Sequence, residues 1–145
     1  MLERLLGLPR SDSLTNYMER LFEKNGGKIV SVVLFGSMAK ETYTIHSDYD
    51  LLIVVSEERL NLKDRFYEYS KYSDGWVEAF VYTVEEVREM FRDKNTLILE
   101  ALKDGVTLYD KGFWESLRKE FEELLRCGIV TPKKDGWIIN RKSNP

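Results

Sequence analysis

The stretch that most constrains this chain runs from Val30 to Val55, VSVVLFGSMAKETYTIHSDYDLLIVV. An apolar run ends in Gly36-Ser37, ten residues follow from Met38 to Ser47, and Asp48 and Asp50 open a second apolar run. Short β-branched runs bounded by Gly, Ser and Asp read as strands, here Lys28 to Phe35 and Tyr49 to Val55. The dozen residues between them leave no room for a full crossover helix with its loops, so the pair is expected to be antiparallel. Residues i and i+2 of a strand share a face, with Cα atoms ~6.5 Å apart. Asp48 and Asp50 therefore share a face that Leu52 and Val54 continue inward. Tyr49, Leu51, Ile53 and Val55 point the other way.

Two carboxylates so placed can reach one hard cation, or bridge a pair about 3.5–4 Å apart. Gly36 permits a backbone conformation or a close approach that a Cβ would block. Ser37 adds a hydroxyl and an N–H, and together the two residues suit an anionic oxygen. Taken singly, each motif is commonplace: Asp-x-Asp at a strand start is often a solvated turn, and Gly-Ser pairs abound. The ordered combination is what points to a site for metal and phosphate.

The remaining chain alternates helices and strands, which argues for an α/β fold. Leu2, Leu5 and Leu6 suggest a helical turn broken by Gly7 and Pro9. Ser11 or Ser13 is placed to cap a helix whose apolar stripe is Leu14, Tyr17, Met18, Leu21 and Phe22, ended by Asn25-Gly26-Gly27. A helix is expected over Glu57 to Ser73, and a third strand over Trp76 to Tyr82. Thr83-Val84-Glu85-Glu86 is a capping box. Asn95 is expected to cap another helix, closed by Gly105, before a short strand at Val106 to Tyr109. Trp114, Leu117, Phe121, Leu124 and Leu125 mark a last helix ended by Gly128. Ile129-Val130 and Trp137 to Ile139 can close as a short hairpin, with Pro132 against it.

Glu78 is the only charge between Gly75 and Glu85, on a strand face shared with Trp76, Phe80 and Tyr82. A buried carboxylate needs a partner charge or a metal; on an exposed face it needs only water. His46 lies in the loop before Asp48, where a solvated histidine is the simpler reading. Lys40 can meet a phosphate oxygen as a point charge. Tyr67, Tyr69 and Tyr72 read as packing or surface, although one of them can stack on a base.

Gly-Ser, ten residues, Asp-x-Asp between two apolar strands resembles the minimal nucleotidyltransferases of the DNA polymerase β superfamily. The resemblance covers the first two-thirds of the chain. It departs at Glu41, where the family commonly has Gly. It implies a small mixed β-sheet with helices mainly on one face, and a nucleotidyltransferase domain over 1–130 followed by a basic tail at 131–145. It also implies that Glu78, on the strand after Asp-x-Asp, is the third acid. Asp48, Asp50 and Glu78 would then hold Mg2+, with Glu78 a metal ligand or the base for the attacking hydroxyl, and Gly36, Ser37 and Lys40 would meet an NTP, ATP being expected. Minimal nucleotidyltransferases commonly pair with a helical HEPN toxin as its antitoxin, and some transfer AMP to a toxin tyrosine. Two rival readings are an antitoxin that neutralises by contact alone and a small-molecule nucleotidyltransferase; the latter usually carries a second helical domain.

With 145 residues, one domain is expected. The single cysteine, Cys127, cannot form an internal disulfide and reads as a small buried hydrophobe. A reducing cytoplasm is the expected compartment, and MLERLLGLPR does not read as a secretory signal. Residues 131–145 carry four basic side chains against one acid, which leaves −6 on the remainder of a chain whose net charge is −3. An acidic body disfavours a nucleic-acid partner.

Overall fold

The computed structural model describes residues 5–140. Helix α1 (Ser11–Asn25) buries Leu14, Tyr17 and Leu21 along one stripe. After the turn at Gly26–Lys28, β1 (Ile29–Phe35) leads into the one-turn helix α2 (Ser37–Lys40) and then β2 (Tyr49–Val55). Helix α3 (Leu62–Ser70) connects β2 to β3 (Val77–Thr83). Then come α4 (Val84–Arg92), α5 (Thr96–Asp104), β4 (Val106–Asp110), α6 (Phe113–Arg126) and the hairpin β5 (Val130–Lys133) and β6 (Gly136–Ile139).

The main sheet has the order β3-β2-β1-β4. β1 runs antiparallel to both β2 and β4, and β3 is parallel to β2. The antiparallel β1–β2 pair is the one the short connection demanded. The apolar residues on the two faces of the sheet make two cores. Val32, Leu34, Leu51, Ile53 and Val81 pack with Leu14, Tyr17 and Leu21 of α1. Val33, Leu52 and Val54 pack with Val87, Ile98, Leu99, Trp114 and Phe121 from α4, α5 and α6. Three helices thus gather on one face, and α1 covers the other together with α3, whose Tyr69 and Phe66 join that core. The terminal hairpin joins the three-helix side, where Trp137 lies edge-on to Phe121 and donates to Glu100 Oε1 at 3.2 Å. Pro132 is accommodated in the ladder opposite Trp137, as an edge position allows.

Local chemistry sets the boundaries. The expected helix over Glu57 to Ser73 is shorter because Asn61 accepts from the Asp64 N–H and caps it there. Glu58 is instead held out of the helix by Lys28 at 2.7 Å and by the N–H of Arg59. The Thr83–Glu86 capping box forms in full, and Asn95 caps α5 through Leu97 and Ile98. Neither Ser11 nor Ser13 caps α1: Arg10 stands at that position in a left-handed conformation, and Ser13 donates to Asp74 instead. Cys127 is exposed rather than buried, because it follows α6 on the solvent side, beside Glu123. Leu2, Arg141 and Lys142 lie outside the described residues. Among the described residues no helix is long and apolar enough to cross a membrane.

Arg65 closes the outer edge of the sheet. It is 4% exposed, and its guanidinium donates to Val81 O at 3.2 Å, Glu86 Oε1 at 2.7 Å and Leu60 O at 2.8 Å. Edge carbonyls left unpaired invite strand addition, and a buried cation blunts that. Removing the guanidinium strands a half-buried carboxylate and two carbonyls. Arg65→Ala is expected to cost about 3 kcal/mol in urea unfolding.

Candidate active site

The site grows out of the β1–β2–β3 register. Phe35, the last residue of β1, pairs with Asp50, and Asp50 pairs with Glu78 on the other side. In-register residues of neighbouring strands point to the same face, so Asp50 and Glu78 project together, and Asp48, two residues earlier, joins them. Gly36 follows directly on the β1 side. Its φ is +76°, and a Cβ built there would lie 2.4 Å from Asp50 Oδ2. The Asp50 carboxylate occupies the space a side chain would need. Ser37 and the rest of α2 then turn the chain away. Buried Met38 and Ala39 fasten that turn to the core, and Lys40 N donates to Gly36 O.

Electrostatics reports the same crowding. Burial first, and then the neighbouring charges of Glu78 and Asp48, lift the Asp50 carboxyl to about 6. Asp48 and Glu78 themselves are exposed. Among the described residues no group of three His, Cys, Asp or Glu side chains is already drawn in as a metal cage. The three acids are close enough to repel one another without closing on a common point. Their hard oxygen donors and mutual repulsion fit a divalent cation, whose charge would relieve the strain on Asp50.

The other site candidates separate. Lys40 is engaged by Glu100 of α5, at 3.4 Å. His46 is exposed, in a tight turn closed by Thr44 and Ser47. Of the α3 tyrosines, Tyr69 is buried and bonded to Asn25 and Glu58, whereas Tyr67 is exposed. A cleft of about 420 Å³ lies outside β3: Asp48 and Glu78 form one wall, and Phe66, Tyr67 and Ser70 of α3 the other. An apolar groove of about 240 Å³ between Leu5, Leu14, Met18 and Leu108 lacks all three acids.

Sequence reasoning missed Arg10. Its guanidinium donates to Ser47 O at 2.7 Å and stacks 3.8 Å over the Trp76 ring. Next to it, the Tyr49 hydroxyl donates to Pro9 O at 2.7 Å. These contacts stitch the loop that carries Asp48 to the start of β3. No local pattern announces them, because the partners lie 37 and 40 residues away.

Gly36-Ser37 thus ends one strand of the mixed sheet, Asp48 and Asp50 open the next, and Glu78 is on the third. The family model described as Polymerase beta, Nucleotidyltransferase matches residues 16–112. The chain belongs to that family, and its enzyme class is nucleotidyltransferase. It is 26% identical over 123 residues to a Methanocaldococcus jannaschii protein provisionally named a protein adenylyltransferase, covering 78% of this chain and 81% of that one. The fold is also that of a provisionally assigned nucleotidyltransferase of Sulfolobus solfataricus, with a TM-score of 0.51, 24% identity, and coverage of 76% of this chain and 86% of the other. A toxin–antitoxin structure with AMP-PNP gives a TM-score of 0.51 at 17% identity, covering 77% of this chain and 86% of the other.

Two substitutions test this geometry. Gly36→Ala meets both the positive φ and the Asp50 oxygen; it is expected to displace that carboxylate and lower nucleotidyl transfer about a hundredfold, at about 1–3 kcal/mol of stability. Asp50→Asn removes the repelled charge. A carboxyl raised to about 6 favours the folded state below its unfolded value near 4, and that contribution is lost as pH rises through 6. At pH 7 in magnesium-free buffer, Asp50→Asn is therefore expected to be more stable than the unaltered protein. Solvent screening in this half-exposed site limits the gain to about 1 kcal/mol. Parallel urea titrations at pH 5 and pH 7 should show the gap closing at the lower pH.

Proposed function

We propose that this protein transfers a nucleoside monophosphate, AMP from ATP, to a hydroxyl of a partner protein, a tyrosine of a HEPN-type toxin, and so acts as an antitoxin. The observation that carries the reading is that Asp48, Asp50 and Glu78 share one face of the sheet, near enough for their charges to act on Asp50, beside the Gly36–Ser37 corner. Asp48 and Asp50, completed by Glu78, would hold Mg2+. When bound, that ion supplies charge stabilisation for the entering and leaving oxygens.

The protein's own groups do the rest. The Ser37 hydroxyl and N–H would donate to the β and γ phosphates of the nucleotide, and Gly36 would let those phosphates approach the backbone. The acceptor hydroxyl attacks the α-phosphorus and pyrophosphate leaves. The hydroxyl proton passes to a carboxylate oxygen of the acid set, for which the exposed Glu78 beside the cleft is best placed. Lys40 is already shared with Glu100, so its phosphate contact would require exchange of partners. The provisional adenylyltransferase name of the Methanocaldococcus jannaschii relative and the nucleotide in the toxin–antitoxin structure support this choice of donor and partner. A site used on a toxin belongs in the cytoplasm.

The test is incubation with α-labelled ATP, Mg2+ and the product of the adjacent reading frame. Label is expected on a tyrosine of that product. EDTA abolishes it, and Asp48→Ala or Asp50→Ala lowers it about a hundredfold or more. Neutralisation of the partner that persists in both variants, with no label transferred, would make the protein a binder instead.

A further inference from the structure

Across the sheet the site has a direction. The Gly36–Ser37 corner ends β1, the aspartates open β2, Glu78 is on β3, and the cleft lies beyond β3. An in-line displacement puts the entering oxygen opposite the leaving pyrophosphate. With the phosphates at the β1 corner, the oxygen enters from the β3 side, through the cleft. The groups lining that cleft are therefore the first that an activated α-phosphorus meets.

Two side-chain hydroxyls line it. Ser70 Oγ is committed to Tyr67 O at 2.6 Å. The Tyr67 hydroxyl makes no hydrogen bond among the described residues, and the residue is 65% exposed. Its ring is held at the cleft wall by the Lys71 ammonium, 4.9 Å from the centroid. Other tyrosine hydroxyls are committed: Tyr17 to Tyr69 O, Tyr49 to Pro9 O, and Tyr69 to Asn25 and Glu58. Tyr43 and Tyr109 pack against the α1-side core, and Tyr82 against the opposite one. Tyr67 combines a free phenol, exposure and a place on the wall facing Asp48 and Glu78.

We propose that Tyr67 is an internal acceptor, so that the protein nucleotidylates itself there; the proposal rests on the nucleotidyl-transfer reading above. Tyr67 Oη forms a bond to the α-phosphorus of ATP, the bond from that phosphorus to the bridging oxygen breaks, and pyrophosphate leaves. The phenolic proton goes to a carboxylate of the acid set, and the product is a tyrosyl-AMP phosphodiester. A nucleotide carried on Tyr67 would occupy the cleft that an outside acceptor must enter.

The experiment uses the full chain alone with α-labelled ATP and Mg2+, followed by peptide mapping, and a second reaction that contains the product of the adjacent reading frame. Label is expected on the peptide bearing Tyr67. It should fall about tenfold or more in Tyr67→Phe and be absent in Asp48→Asn. If the protein labels the added partner but not itself, or labels itself at a different residue, the internal-acceptor assignment is overturned and nucleotidyl transfer stands. If neither reaction incorporates label, both are overturned.

Discussion

A carboxylate that fills the space of a missing β-carbon holds this site together. Asp50 lies over Gly36, and the two are locked by the same pairing that joins β1 to β2. The arrangement needs the glycine's positive φ, the antiparallel register and the acid at that position together; changing any one moves the others. It also explains why the corner and the acids form one unit. The backbone turn that would receive phosphate and the carboxylate that would face a cation are in van der Waals contact.

Holding three acids near one another has a cost that the fold accepts locally. Asp50 is half-buried and lifted to about 6 by burial and by its two neighbours, whereas Asp48 and Glu78 remain in water. The two cores on either side of the sheet supply the rigidity. Val33, Leu52 and Val54 are fully buried on the face that carries the acids, just inward of them. An apolar floor of this kind fixes the strand directions while the acid ends stay open. Preorganised repulsion is a common mark of sites that wait for a cation, since an ion entering them recovers energy already spent in folding.

Much of this was legible in the sequence because local rules and tertiary demands agreed. The Val30–Val55 stretch gave two strands, their antiparallel sense and the glycine's close contact, each from short-range chemistry. The capping residues Thr83, Glu86 and Asn95 marked helix starts correctly. What stayed hidden depended on distant partners. Helix α3 begins late because Lys28 draws Glu58 aside, and α1 begins without a serine cap because Arg10 turns there to reach Ser47. Cys127 was misread because hydrophobic type does not say which side of a helix end faces solvent. The cleft outside β3 was invisible because it belongs to the spacing between a strand and a helix, which no periodicity encodes.

The stitch made by Pro9 and Arg10 bears on how this domain is delimited. The family match begins at residue 16, whereas the pair securing the loop before Asp48 lies upstream of it. A fragment trimmed to the matched boundaries would keep the sheet, the corner and all three acids. It would lose the brace that fixes where the first acid stands. How firmly that acid is anchored in this chain is therefore set by a segment that lies outside the matched region.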